Sequence, residues 1–356
     1  MGIVVSELPD FFRNLMPFMA DLESDEAGPE PSEISARYSV PLEKITVLSR
    51  NENPYGPSPK VWESFLGAPL HRYPDSRRFL KAVSNYSGFP EENIIIGAGL
   101  DEIITTVARL FLGTGDKALI PVPTYNLYGL ATRLCGAVPI YRPMLPGFEI
   151  DTNLPRDAKM IFLCSPNNPT GSSISEQTVR AVAESTNGIV FLDEAYAEFA
   201  GKSLIKLVHS YDNLMVGRTL SKAFGLAGLR LGYAIAPAWM AKEYRRAAPL
   251  FSISSLSLAA GEAALQDLEF MRSSVGKIIA ERERMRRSVK GAYPSQGNFL
   301  YIRGQEQSCL AAERLLRQGV MVRDCSAFPG AGKNCLRVSI GMPEDNDRFI
   351  EAFAQH

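Results

Sequence analysis

Residues 160–196 read MIFLCSPNNPTGSSISEQTVRAVAESTNGIVFLDEAY: a short apolar run, a loop, a helical segment and a second short apolar run. Continuous apolar runs of this length are typical of strands that are buried on both faces of a parallel sheet. The helix predicted for residues 175–185 would be the crossover that two parallel strands need. The stretch therefore predicts an α/β fold, in which ligands bind beyond the carboxyl ends of the strands.

The same alternation continues on both sides of this stretch. Strands are predicted at residues 93–96, 117–121, 138–141, 160–164, 189–192, 214–216 and 231–235, and helices at 61–66, 77–87, 101–112, 125–135 and 175–185. A long helix at 261–289 leads into strands at 299–303, 320–323 and 336–340 and helices at 309–318 and 344–353. We expect a large domain with a mostly parallel central sheet flanked by helices, and a smaller α/β C-terminal domain.

The first 50 residues differ from the rest of the chain. Five prolines and an acidic patch at residues 21–26 predict an extended arm with short helical pieces, because proline breaks helices. We therefore divide the chain into an N-terminal arm at 1–50, a large domain at 51–275 and a small domain at 276–356. Part of the arm is expected to complete the small domain.

Composition excludes several classes of function. The 356 residues carry 38 basic and 39 acidic side chains, so no nucleic-acid surface is expected. No apolar run is long enough to predict a membrane span, and no secretory signal is recognisable. Five scattered cysteines are typical of reduced thiols in the cytoplasm, and three distant histidines predict no metal site.

Two charged residues follow predicted strands and point to chemistry. Asp193 ends the strand at 189–192, where a carboxylate is costly to bury without a compensating cation. Lys222 stands among small residues after the strand at 214–216, and burial would lower its pKa and make it a nucleophile. On these two residues alone, a structural ion pair remains an alternative.

Neighbouring residues indicate a phosphate. Hydroxyls at Thr219 and Ser221 and the guanidinium of Arg230 make an anion site of donors. The segment GAGLDE at 97–102 joins a strand to a helix, whose free backbone N–H groups also favour phosphate, although a plain turn would look similar. Together with a lysine nucleophile, these elements indicate a phosphate-bearing carbonyl cofactor.

Taken in order, the motifs resemble those of the fold-type I pyridoxal-phosphate aminotransferases. Within this class they are most similar to the motifs of the histidinol-phosphate enzymes. The resemblance runs from about residue 33 to the end of the sequence. It is carried by NENPYGP at 51–57, RYPD at 72–75, PTY at 123–125, NNPTG at 167–171, DEAY at 193–196 and SKAF at 221–224.

The resemblance implies pyridoxal 5'-phosphate as the cofactor and assigns roles around its ring. Lys222 would bind the cofactor covalently and move protons at the substrate carbon. Asp193 would pair with the ring nitrogen. Asn168 and Tyr196 would hydrogen-bond the phenolic oxygen, and Tyr125 would stack on the ring unless it is a packing residue. Lys222, Asp193 and Tyr196 are thus the expected catalytic residues.

The resemblance also implies how the phosphate is held. Thr219, Ser221, Arg230 and the backbone amides of Leu100 and Asp101 would hold it within one chain. Many relatives have serine where Leu100 stands, so a hydroxyl contact is lost there while the amide remains. Tyr73 would reach the phosphate from the neighbouring subunit, which implies a homodimer; simple packing is the alternative for Tyr73.

Substrate recognition is expected from the C-terminal part. Arg337 lies inside an apolar strand, where its charge needs an anion, and the resemblance pairs it with Arg323 around the phosphate of L-histidinol phosphate. Tyr55 and Asn168 would assist, and 2-oxoglutarate would accept the amino group. An ion pair between Arg323 and Asp324 is the alternative for Arg323.

Three other functions are alternatives. One is an aromatic or broad-specificity aminotransferase. Another is threonine-phosphate decarboxylase, which the segment RDCSAFPG at 323–330 also resembles. The third is a cofactor-binding transcription regulator. It would need a DNA-binding domain, which the proline-broken, acidic first 50 residues do not supply.

Overall fold

Helices and strands alternate along the chain, and a computed structural model describes residues 19, 28–155 and 157–354. Within these ranges the α-helices are α1 Pro31–Tyr38, α2 Pro59–Ser64, α3 Arg77–Ser87, α4 Gly99–Phe111, α5 Leu127–Leu134, α6 Glu176–Ser185, α7 Ala197–Ala200, α8 Ala238–Ala247, α9 Ser255–Leu265, α10 Leu268–Ser288, α11 Ser308–Arg317 and α12 Pro343–Ala354. None of the helices in the described ranges is long and apolar enough to cross a membrane.

The strands form one large sheet and two small ones. They are β1 Thr46–Val47, β2 Ile94–Gly97, β3 Lys117–Val122, β4 Val138–Pro143, β5 Met160–Cys164, β6 Ile189–Asp193, β7 Leu214–Thr219, β8 Gly232–Ile235, β9 Phe299–Arg303, β10 Val320–Met321, β11 Arg323–Asp324 and β12 Cys335–Ser339. The large sheet has the order β2-β8-β7-β6-β5-β3-β4. Its pairings are parallel except for the two that β8 makes.

Helices cover both faces of the large sheet. Apolar side chains of α4, α5 and α8 pack on one face, and those of α3, α6, α9 and α10 pack on the other. Strands β5 and β6 are buried along their whole length, which explains their unbroken apolar sequence. The predicted α/β fold with a mostly parallel, helix-flanked sheet is confirmed.

The C-terminal part contains the smaller sheets. Strands β11, β12 and β9 form an antiparallel sheet in that order, and β10 pairs in parallel with β1 from the N-terminal arm. The arm is also tied to α11, since the Tyr38 hydroxyl donates to the Glu313 carboxylate at 2.6 Å. The described part of the arm therefore contributes a strand to the C-terminal part.

Two predicted elements are wrong. The helix expected at 261–289 is two helices, because Asp267 caps the second of them by accepting from the Phe270 N–H at 3.4 Å. The strand expected at 320–323 is divided, since β10 and β11 pair with different partners. The proposed domain boundary at 275/276 stays a prediction, and it would fall inside α10.

Candidate active site

A cavity of about 400 Å³ lies where the carboxyl ends of β5, β6 and β7 and the start of α4 meet β11 and β12. Twelve residues predicted from the sequence line it: Leu100, Asp101, Tyr125, Asn168, Asp193, Tyr196, Thr219, Ser221, Lys222, Arg230, Arg323 and Arg337. The other lining residues are Ser49, Arg50, Asn51, Cys164, Ala195, Ala227 and Phe328. The structure thus brings together residues that are up to 288 positions apart in the sequence.

Lys222 is the nucleophile candidate in this cavity. Its Nζ donates to the backbone oxygen of Arg50 at 3.1 Å. Burial, followed by the nearby charge of Arg337, lowers the pKa of Lys222 to about 8, although Glu52 opposes this decrease. A lysine with this pKa is partly neutral near physiological pH, so its amine can attack a carbonyl carbon.

Asp193 provides a buried negative charge at the end of β6. The side chain is 4% exposed, and burial raises its pKa to about 6. Two hydrogen bonds oppose this rise: the Tyr128 hydroxyl donates to Oδ2 at 2.7 Å, and the Ala195 N–H donates to Oδ1 at 2.9 Å. The carboxylate is therefore held in place and largely ionised at pH 7, as the partner of a protonated ring nitrogen must be.

Tyr196 and Asn168 supply neutral polar groups between the charged ones. Burial raises the pKa of Tyr196 to about 12, so its hydroxyl keeps its proton at physiological pH. The oxygen of that hydroxyl accepts from Asn51 Nδ2 at 3.1 Å. Asn168 Oδ1 accepts from Arg337 Nη1 at 2.6 Å, which fixes the orientation of the Asn168 amide. Tyr196 is a hydrogen-bond donor for a ligand oxygen in the cavity.

The start of α4 forms an anion-binding end of the cavity. The helix has no side-chain cap at Ala98, and its first-turn residues Leu100 and Asp101 line the cavity, so backbone N–H groups of this turn are available to an anion there. Close approach of backbone and arginine requires glycine here. A Cβ at Gly99, where φ is +82°, would lie 2.7 Å from Arg230 Nη2, and one at Gly232 would lie 2.7 Å from the Leu100 nitrogen. A phosphate group fits such a set of donors.

Asp101 has a side-chain contact that the sequence did not predict. Its carboxylate accepts from Arg230 Nη2 at 2.6 Å and from the Tyr125 hydroxyl at 3.2 Å. Arg230 Nη1 also lies 3.4 Å from Ser221 Oγ. Asp101 therefore positions both the guanidinium expected at the phosphate and the aromatic ring expected to stack on the cofactor.

Arg323 and Arg337 stand directly opposite each other on antiparallel strands β11 and β12. Opposed residues project from the same face of a sheet, and like charges in this arrangement repel. Arg337 is 7% exposed, and its Nη2 donates to the Ser49 backbone oxygen at 2.5 Å. Burial lowers the pKa of Arg337, and the charge of Arg323 contributes to the decrease. The pair makes this end of the cavity suited to an anion.

Two predicted residues do not line the cavity of their own chain. The Tyr55 ring lies under the Lys277 ammonium, whose Nζ is 4.9 Å from the ring centroid. Tyr73 is 80% exposed and stacks on Phe251 with a centroid distance of 4.7 Å. The substrate role expected for Tyr55 and the cross-subunit role expected for Tyr73 therefore stay predictions.

Sequence reasoning missed residues that support the predicted ones. Tyr128, which donates to Asp193, lies three positions after Tyr125, a spacing that would put both side chains on one face of the helix predicted at 125–135. Asn51, the partner of Tyr196, begins the NENPYGP motif but was given no role. The helical spacing of Tyr128 was visible in the sequence, whereas the contact of Asn51 depends on the fold.

A buried charged cluster lies beside the cavity, next to the carboxyl ends of β6 and β7. Arg218 precedes Thr219 on β7 and therefore points to the other face of the sheet. Its Nη1 lies 3.3 Å from Glu194 Oε2, and its Nη2 lies 2.5 Å from Glu198 Oε1. The three side chains are between 2% and 7% exposed. The cluster fixes the chain directly next to Asp193 and Thr219.

Comparisons with known proteins agree on one family. The model of the family described as aminotransferase class I and II matches residues 43–353. The chain is 41% identical over 348 residues to a histidinol-phosphate aminotransferase of Methanosarcina mazei, covering 94% of each chain. It is 42% identical over 319 residues to histidinol-phosphate aminotransferase 1 of Archaeoglobus fulgidus, covering 86% of this chain and 98% of that one.

A solved structure agrees with these sequence relatives. It is histidinol-phosphate aminotransferase from Sinorhizobium meliloti in complex with pyridoxal 5'-phosphate. The superposition gives a TM-score of 0.85 at 25% identity, covering 95% of this chain and 96% of the other. The large sheet and the C-terminal sheets are therefore both part of a shared fold.

Proposed function

The chain belongs to the class I and II aminotransferase family, and from this membership we propose that it transfers the amino group of L-histidinol phosphate to 2-oxoglutarate. The opposed arginines Arg323 and Arg337 are the observation that supports a phosphorylated substrate. The sequence relatives at about 40% identity carry the same activity in their names.

We propose pyridoxal 5'-phosphate as the cofactor, because the donors and charges of the cavity fit it. The N–H groups that begin α4, with Thr219, Ser221 and Arg230, would hold its phosphate. Asp193 would pair with the ring nitrogen and Lys222 with the aldehyde carbon. When bound, the cofactor supplies an electron sink for the carbanion that forms at the substrate carbon.

The side chains of the cavity would then carry out the remaining work. Lys222, whose pKa is lowered to about 8, would take the proton from the substrate carbon and deliver it to the carbon that carried the aldehyde of the cofactor. Tyr196 would donate a hydrogen bond from its hydroxyl to the phenolic oxygen and keep its proton. Asn168 would fix that oxygen from a second direction, while its own carbonyl stays bound to Arg337.

Recognition of the substrate would rest on charge. An anion bound between Arg323 and Arg337 relieves their mutual repulsion and gains charge-assisted hydrogen bonds. A phosphate group matches two guanidinium groups better than an aromatic side chain does, because each guanidinium can donate two parallel hydrogen bonds. A phosphate monoester of an amino alcohol therefore suits this end of the cavity.

A substrate panel tests the proposed function. With 2-oxoglutarate as acceptor, we expect fast glutamate formation from L-histidinol phosphate, and slow formation from L-histidinol, phenylalanine and tyrosine. O-phospho-L-threonine is included while carbon dioxide release is followed. Rapid release of carbon dioxide would replace the proposal by a decarboxylase, and a preference for phenylalanine would replace only the substrate.

Replacement of Arg323 by glutamine should affect the phosphorylated substrate selectively. A lost charge-assisted contact is worth about 1.5–3 kcal/mol, so kcat/KM for L-histidinol phosphate should fall by roughly 10- to 100-fold. The value for unphosphorylated L-histidinol should stay nearly the same. Arg246→Gln, at an exposed position on α8, serves as the matched control. Equal losses for both substrates would remove Arg323 from phosphate binding.

We further propose that the enzyme is a homodimer in which Tyr73 completes the site of the partner subunit. Tyr73 stacks on Phe251, and the segments that contain this pair carry large exposed apolar side chains: Leu66, Leu70 and Leu250 are 94%, 74% and 82% exposed. Exposed apolar residues of this size, close together, are typical of an interface. A cytoplasmic location, expected from the scattered cysteines, stays a prediction.

Mixed subunits test this arrangement. Lys222→Ala chains and Tyr73→Phe chains, each weakly active alone, are unfolded together and refolded as a mixture. In a two-fold symmetric dimer that shares Tyr73, each hybrid contains one intact site, so the mixture should regain about a quarter of the wild-type activity. No gain on mixing would show that Tyr73 does not act across subunits. Sedimentation equilibrium provides the mass of the assembly.

A further inference from the structure

Three consecutive residues, Ser49 to Asn51, each contact one of the functional residues. The Ser49 oxygen accepts from Arg337, the Arg50 oxygen accepts from Lys222, and the Asn51 amide donates to Tyr196. The first two contacts use backbone atoms, which any residue would supply. Only Asn51 makes its contact through its side chain.

Asn51 is held by four hydrogen bonds. Its N–H donates to Ser339 Oγ at 2.8 Å, and its Oδ1 accepts from the same hydroxyl at 3.0 Å. Its backbone oxygen accepts from Asn298 Nδ2 at 3.0 Å, and its Nδ2 donates to the Tyr196 oxygen at 3.1 Å. The residue is 1% exposed and has φ of +53°, a conformation that asparagine tolerates better than most residues.

These bonds fix which end of the Asn51 amide faces Tyr196. Ser339 Oγ accepts the N–H of Asn51, and it uses its one proton to donate to Asn51 Oδ1. The carbonyl end of the amide is therefore turned to Ser339, and the NH₂ end is turned to Tyr196. Asn51 acts on Tyr196 only as a donor.

We propose that Asn51 is a positioning residue that directs the hydroxyl proton of Tyr196 into the cavity. The Tyr196 oxygen accepts a hydrogen from Asn51, so its own proton is not used in that contact and is available to a ligand. Tyr196 lines the cavity, and its ring makes an edge-to-face contact with the Phe299 ring, with 5.0 Å between the ring centroids. With ring and oxygen both fixed, the O–H bond has the cavity as its remaining direction.

This inference rests on the proposed function, in which Tyr196 donates to the phenolic oxygen of the cofactor. A hydrogen bond donated to that oxygen favours its ionised form, and so lowers the pH at which the visible absorption of the bound cofactor changes. If Asn51 no longer supplies its N–H, Tyr196 is free to donate elsewhere, and this pH midpoint rises.

The test uses full-length protein loaded with pyridoxal 5'-phosphate and titrated in a spectrophotometer. Asn51→Gly keeps a backbone that allows positive φ and removes the donor without adding charge. We expect the absorption midpoint to rise by about 0.5–1 pH unit, the size of one hydrogen-bond effect on a pKa. Asn51→Asp, which would accept the Tyr196 proton, should raise the midpoint further than Asn51→Gly.

The same substitution in the Tyr196→Phe background separates positioning from a general structural effect. If Asn51 acts through Tyr196, Asn51→Gly should not move the midpoint of Tyr196→Phe. An equal shift in both backgrounds, or none in either, overturns the inference. If the Asn51 variants fail to load cofactor, Ser339→Ala provides a second test. This substitution removes the hydroxyl that holds Asn51 Oδ1, so we expect the absorption midpoint to rise by less than in Asn51→Gly. An unchanged midpoint in Ser339→Ala would then overturn it.

The wild-type titration distinguishes failure of the Asn51 inference from failure of the proposed function. Wild-type protein that develops no visible band with pyridoxal 5'-phosphate contradicts the proposed cofactor. A normal wild-type titration with unshifted variants contradicts only the role of Asn51.

Discussion

Replacement of Lys222 by alanine should remove aminotransferase activity almost completely. The side chain is the nucleophile and the proton-transfer group of the proposed mechanism, and removal of such a group lowers kcat by roughly four orders of magnitude or more. The visible absorption band of the cofactor-loaded protein should also be lost. Borohydride reduction of the wild type followed by peptide mass mapping should find the modification on Lys222.

A second lysine provides the control for this experiment. Lys242 is exposed on α8, away from the cavity, and Lys242→Ala should keep both the absorption band and the activity. Cofactor titration of the Lys222→Ala protein shows whether the cavity still binds the phosphate. Retention of the wild-type band in that variant would remove Lys222 from the mechanism.

Replacement of Arg218 by methionine should destabilise the protein strongly. The substitution would leave Glu194 and Glu198 buried, at 2% and 5% exposure, without their cation. Removing one partner of a buried ion pair costs about 3–5 kcal/mol. We expect a loss of this size in the free energy of unfolding, measured by urea titration of the cofactor-free protein.

An exposed pair is the matched control. Arg180 binds Glu176 one turn away on α6, with side chains 42% and 54% exposed. Arg180→Met should change the free energy of unfolding by less than about 1 kcal/mol, because water screens exposed pairs. A further change of Glu194 and Glu198 to glutamine should recover part of the loss in Arg218→Met. Equal effects of Arg218→Met and Arg180→Met would contradict the importance of burial.

The fold could be predicted where local sequence determines structure. Strands β5 and β6 are buried on both faces, and the continuous apolar runs IFLC and IVFL in the sequence predict this burial. The break between α9 and α10 was missed because helical spacing continues across it. That break depends on Asp267, whose carboxylate also accepts from the distant Ser58 hydroxyl at 2.5 Å.

The division of the strand at 320–323 was missed for a related reason. Val320 pairs with Thr46 of the arm, whereas Arg323 pairs with Arg337. The local pattern of apolar residues does not show which distant segments will pair with a strand. The sequence at 320–323 therefore predicts one continuous strand.

The candidate site also contains residues that could be predicted from the sequence and residues that could not. Residues that follow strands, such as Asp193 and Lys222, could be identified because their type is unusual at those positions. The side chain of Asp101, the hydroxyl of Tyr128 and the amide of Asn51 were missed as partners. Their hydrogen bonds depend on orientation across elements, which motifs do not encode.

The contacts of Ser49 and Asn51 also bear on how the protein is made. Their partners Arg337 and Ser339 lie 288 positions further along the chain. At about 5–20 residues per second, a ribosome needs roughly 15–60 s to synthesise the intervening chain. The large sheet can begin to fold during this interval. The part of the cavity formed by Arg323 and Arg337 cannot form before residues 335–339 of β12 leave the ribosome. A nascent chain therefore acquires the elements proposed to bind the cofactor phosphate first and those proposed to select a substrate last.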